Sequence, residues 1–237
     1  MQHKFGILAG VGSAVLGLTI AAGAVLAAGP HGVGVGSAAG ASVGSAAGAS
    51  VGAHGTGSGG YGAYGSGPGA GADTATQART RAIAAGLAQP QGTLTDVQAS
   101  SLAGLASEEK LALDLYTALG EQYRTPVWGN IAAAEATHLD AVRTLLARYG
   151  IADPTAGRSA GDFATLDTTS LYRSLLAQGA GSESAAWAAG VAVEQDDIAT
   201  LDTAASGVTA PDVAAVEASL RSASEQHLAA FTRLLGN

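Results

Sequence analysis

Residues 125–150 read TPVWGNIAAAEATHLDAVRTLLARYG. Threonine followed by proline is a helix start, because proline at the first helical position gives up an amide that has no intrahelical partner there. Ile131, Ala134 with Glu135, His138, Val142, Leu145 and Tyr149 then recur every three or four residues and share one face. The run stops at Tyr149, before Gly150. At 1.5 Å per residue the predicted helix is about 36 Å long. Two members of its apolar stripe, Glu135 and His138, are ionisable.

The same periodicity extends to both sides. Upstream, a helix over Asp96–Gly120 carries Leu102, Leu105, Glu109, Ala112, Tyr116 and Leu119 on one face, with Tyr123 beyond it. Downstream, a helix from near Ser182 carries Trp187, Val191, Glu194, Ile198 and Leu201, with Asp197 beside them. The last begins near Thr209 and carries Val213, Val216, Leu220, Ser224, His227, Phe231 and Leu234. A shorter piece, Thr169–Gln178, lies inside the 150–181 connection. Runs of β-branched residues are absent, so the predicted class is all-α. A region of roughly 145 residues suffices for one core. A connection that returns along the whole second helix makes the second and third helices parallel. That is the single long crossover of a ferritin-like four-helix bundle, not an up-down-up-down arrangement.

Ahead of this region the composition changes. Of 19 acidic residues, 18 lie at Asp96 or later, whereas residues 29–72 are almost entirely Gly, Ala, Ser and Val. Residues 36–51 repeat GSAAGASV twice, without the large side chains a core needs, so 29–92 is read as a low-complexity linker. Tyr61 and Tyr64 belong to that tract, and His3, His31 and His54 are isolated. Residues 5–28 carry no charge and follow a Lys and a His, the pattern of an export signal. Residues 1–28 are thus a signal peptide or, uncleaved, a membrane anchor that tethers the chain. Either places the domain outside the membrane, extracellular or at the cell surface.

Among 237 residues there is no cysteine, which excludes disulfides, thiolate zinc sites, iron–sulfur clusters and cysteine nucleophiles. The net charge of −8, without a basic cluster, argues against nucleic-acid binding.

Each long helix interrupts its apolar stripe with ionisable residues: Glu109, then Glu135 and His138, then Glu194 and Asp197, then His227. No Lys or Arg shares these stripes. Removing an unpaired carboxylate from water costs several kcal/mol, so facing anions need cations or protons. Two divalent metal ions would supply four positive charges, with neutral imidazoles as nitrogen ligands. Glu135-x-x-His138 points a carboxylate and an imidazole from one helix surface at one point. Di-iron and di-manganese bundles take one Glu from each of two helices and Glu-x-x-His from each of the other two. Three helices match, and the fourth matches by half, because Ser224 stands where a glutamate would.

Glu108-Glu109-Lys110-Leu111-Ala112, residues 130–138 (NIAAAEATH), Tyr149-Gly150, Asp197-Ile198 and His227-Leu228-x-x-Phe231 together resemble an uncharacterised bacterial and archaeal family of ferritin-like, rubrerythrin-related domains. The resemblance spans residues 93–237. It implies a non-haem centre whose iron or manganese reacts with O2 or peroxide, ferroxidase- or peroxidase-like, with Tyr116 as a neighbouring donor. It also implies pairing of two chains through exposed helix faces. Without cysteine, electrons come from an external donor. A second functional class is a metal-free bundle presented on the linker as a surface module. Trp128 and Trp187 read as packing, and Glu108, Asp114, Asp140 and Asp196 as exposed charges on polar faces.

Overall fold

The computed structural model describes residues 69–236, which form six α-helices and, among the described residues, no strand. They are α1 Gly69–Leu87, α2 Asp96–Tyr123, α3 Pro126–Tyr149, α4 Leu166–Gly179, α5 Glu183–Ala204 and α6 Pro211–Leu235. The expected signal, the duplicated octapeptide, Tyr61, Tyr64, His3, His31 and His54 lie outside the described residues. Among the described residues, no helix is long and apolar enough to cross a membrane.

Local chemistry sets the helix ends. Thr95 accepts from the Gln98 amide while the Gln98 side chain accepts from the Thr95 amide, a reciprocal cap that starts α2. Ser182 and Thr165 cap α5 and α4 by accepting amides three residues on. Thr125 precedes Pro126 of α3, but its hydroxyl donates to Glu183 of α5 and caps nothing. The sequence reading stops α2 at Gly120, whereas the helix runs on to Tyr123 and turns at Arg124, φ 57°. Gly120 serves close approach: a Cβ there would stand 3.0 Å from Trp128 Cβ of α3.

Ring contacts give the directions. Near the start of α3, Trp128 stacks on Trp187, near the start of α5, with centroids 4.3 Å apart and planes 10° off parallel. Tyr116 in the second half of α2 and Phe231 near the end of α6 pack on the same indole, at 5.8 and 5.1 Å. Thus α3 and α5 run parallel, and each is antiparallel to its neighbour, α2 or α6. At the opposite end Leu102, Leu105, Leu145, Leu146, Leu201 and Val213 form a second apolar cluster. By register along all four helices, Glu109, Glu135, His138, Glu194 and His227 fall between the two clusters. The α3–α5 connection carries α4, which packs on α2 and α5.

One helix was not legible as such. Residues 69–87, assigned to the linker by composition, form α1, which packs on α6 and α3. Ile83 enters the second cluster at 5% exposure, and Gly86 lies so close to α6 that a Cβ would sit 3.1 Å from the Val216 backbone nitrogen. Arg148 donates to Leu87 O and to Asp212, and Tyr149 accepts from the Gly92 amide. An Ala-rich helix held by one isoleucine and one close glycine leaves no stripe to read, since Gly and Ala also fill the preceding tract.

Candidate metal centre

Glu135 stands in the middle of the layer between the two apolar clusters. One of its oxygens, Oε2, is 2.8 Å from His138 Nδ1, and the other, Oε1, is 2.8 Å from His227 Nδ1. Glu109 Oε2 approaches His138 Nδ1 to 3.4 Å, and Glu194 Oε1 approaches His227 Nδ1 to 3.6 Å. All five residues are at most 4% exposed. They fall into two groups, Glu109–Glu135–His138 and Glu135–Glu194–His227, in each of which the donor atoms lie within 4.8 Å of one another. Groups of this size and chemistry can hold a metal ion, and Glu135 belongs to both.

The contacts are short without being hydrogen bonds. Both Nδ1 atoms, Glu135 Oε1 and Glu109 Oε1 are buried with no hydrogen-bond partner, so the carboxylates lie off the N–H directions. Donor atoms that each sit ~2.0–2.2 Å from a shared cation are themselves about 3 Å apart. The spacing around both imidazoles therefore fits the edges of a coordination shell.

Electrostatics point the same way. Burial alone would lower both histidines. Glu135 and Glu109 nonetheless push His138 well above its usual range, and Glu135 and Glu194 bring His227 up to about 9. Burial drives Glu109 far up, against the opposing pull of His138. Burial and the nearby Glu135 bring Glu194 to about 7. For Glu135 burial is outweighed by His227 and His138, which hold it well below the carboxylate range.

The remaining acids divide. Asp197 lies outside both groups; it accepts from the Ser224 hydroxyl at 2.6 Å, and its other oxygen is buried and unpartnered. Burial raises it to about 6, against the lowering effect of that bond. Tyr116 donates to Glu194 Oε1 at 2.7 Å and so fixes that carboxylate from the side of the aromatic cluster. Glu108 and Asp196, expected on polar faces, are only partly exposed. With Glu109, Glu135, Glu194 and Asp197 they line a cavity of about 20 Å³ roofed by Leu171 and Leu175 of α4. Burial, with Asp197 and Asp196 adding repulsion, brings Glu108 to about 8. Leu111 and Leu115, three and seven residues beyond Glu108, are the sequence signal that α2 buries this flank as well. Asp114, also expected exposed, is part-buried: Lys110 pairs with it and the Gly161 amide donates to it, which ties the crossover to α2. Asp140 is exposed as expected.

The family model described as an uncharacterized protein domain, DUF2202, matches residues 98–237, from the first turn of α2 to the end. The chain belongs to this family. All the residues of both donor groups fall inside the DUF2202 region. The uncharacterized protein MJ0754 of Methanocaldococcus jannaschii is 34% identical over 148 residues, 62% of this chain and 80% of that protein. The crystal structure of the hypothetical protein MJ0754 from Methanococcus jannaschii is similar with a TM-score of 0.61. It covers 63% of this chain and 86% of its own, again at 34% identity.

Proposed function

We propose that the chain is an exported, ferritin-like domain whose two donor groups hold two divalent metal ions, iron or manganese, bridged by Glu135. The function is metal binding or oxidoreduction linked to O2 or peroxide. One observation carries this reading: each Glu135 oxygen lies 2.8 Å from a different buried imidazole nitrogen, and neither nitrogen makes a hydrogen bond. The ferritin-like relationship is supported by the parallel α3 and α5, by the long crossover and by the chain order of the donors. Export is supported by the uncharged stretch of residues 5–28.

Iron held in such a centre supplies redox chemistry by changing between two oxidation states. This chain's residues prepare the place for it. The two apolar clusters exclude water along the bundle axis, so charges inside the layer act in a low dielectric. Tyr116 donates its hydroxyl to Glu194 and so orients that carboxylate. Ser224, where a fourth-helix glutamate is absent, instead positions Asp197 from α5 beside the layer.

Thermal unfolding of the full chain with and without a chelator tests this. A metal at 100 times its dissociation constant adds about 2.7 kcal/mol of stability, which the chelator removes. An unchanged melting temperature contradicts the reading and favours a metal-free surface module.

A further inference from the structure

We propose that Glu108 and Asp196 form the entry by which divalent cations reach the centre, through the cavity between α2, α4 and α5. This rests on the reading that the two donor groups bind metal, and it adds a route and two residues outside either group.

The cavity wall carries six carboxylates, Glu108, Glu109, Glu135, Glu194, Asp196 and Asp197, and no Lys, Arg or His. Its volume of about 20 Å³ has room for one water or one small ion. Exposure rises outward along it, from 2% at Glu109 and Glu194 to partial exposure at Glu108 and Asp196. Two of its oxygens, Glu108 Oε2 and Asp197 Oδ1, are buried without a hydrogen-bond partner. An unpartnered buried carboxylate oxygen is costly, and a passing cation satisfies it. Thr200 gives Glu108 a long hydrogen bond, 3.4 Å, to its other oxygen, leaving Oε2 to the cavity. The alternative approaches along the bundle axis are closed by the two apolar clusters. Leu171 and Leu175 of α4 add an apolar wall, so along this route the carboxyl oxygens of Glu108 and Asp196 are the groups that an entering cation meets.

The probe is cobalt(II) chloride added to the metal-free full chain, with uptake followed by visible absorbance and final content by elemental analysis. The double variant Glu108→Gln/Asp196→Asn is expected to reach the parent's final cobalt content. Its uptake should be roughly tenfold slower, because both carboxyl groups on the route are replaced. The single variant Asp196→Asn, at a partly exposed position, is expected to show the same trend more weakly. Parent-like rates in both variants overturn the entry role while leaving the metal centre standing. A lower final content in the double variant overturns it too, since these side chains would then be ligands. A parent chain that takes up no cobalt fails earlier, at the centre itself.

Discussion

The Ser224 hydroxyl of α6 donates to Asp197 Oδ2 of α5 across 2.6 Å. The α6 serine and the α5 aspartate thus form one unit at the edge of the donor layer. The serine also contacts Leu220 O at 3.1 Å, but it has one proton, and the carboxylate is the stronger acceptor.

Ser224→Ala removes the hydrogen bond that lowers Asp197 and leaves both Asp197 oxygens without a partner. Hydrogen bonds to charged groups contribute about 1.5–3 kcal/mol, so the variant should lose about 2 kcal/mol in urea unfolding at neutral pH. Its metal content should match the parent's, because neither residue belongs to a donor group. A stability equal to the parent's would show that the 2.6 Å contact contributes nothing.

Glu217 of α6 is 3% exposed, has a buried oxygen with no partner, and is pushed by burial from 4.5 to about 7. An acid whose folded pKa is raised favours the folded state fully below 4.5, and that contribution is lost as pH rises through about 7. Glu217→Gln should therefore raise the melting temperature at pH 8 and lose its advantage below pH 4.5. Melting curves across that range check the sign; a variant less stable than the parent at pH 8 refutes it.

Asp212 behaves oppositely. It is fully buried and accepts from Arg148 at 2.8 Å, Tyr149 at 2.6 Å and the Val213 amide at 3.0 Å. Burial alone would raise it, but these donors outweigh burial and hold it below the usual carboxylate range. Its contribution is present above an unfolded carboxyl's ~3.9 and is lost as pH falls through the lower folded value. Asp212→Ala should cost about 3 kcal/mol at pH 7, with the gap to the parent narrowing below about pH 4. Urea midpoints at the two pH values measure it.

The sequence made α3 legible almost to the residue, because a proline start, a 3–4 stripe and a glycine stop agree with one another. Placing Glu109, Glu135, His138, Glu194 and His227 in one layer was legible for the same reason: each interrupts a stripe that has to face the core. Asp197 was harder, since its partner Ser224 reads as a defect until the hydrogen bond joins them. Glu108 was misplaced because α2 buries two flanks, one against α3 and one under α4; the stripe of Leu102, Leu105, Glu109 and Ala112 marks the first, and the second rests on Leu111 and Leu115 alone. Gly120 read as a stop because close approach and chain reversal both call for glycine. α1 escaped because Ile83 is the one deeply buried large side chain among its described residues, and its packing depends on α6 more than on its own pattern.

In the proposed centre Glu135 serves two ions at once. Metal stoichiometry of the full chain, loaded with iron(II) under anaerobic conditions and counted by elemental analysis, tests it. About two ions per chain are expected in the parent and about one in Glu109→Ala or Glu194→Ala, with none retained by Glu135→Ala. Two ions still bound after Glu135→Ala, or none bound by the parent, would contradict it.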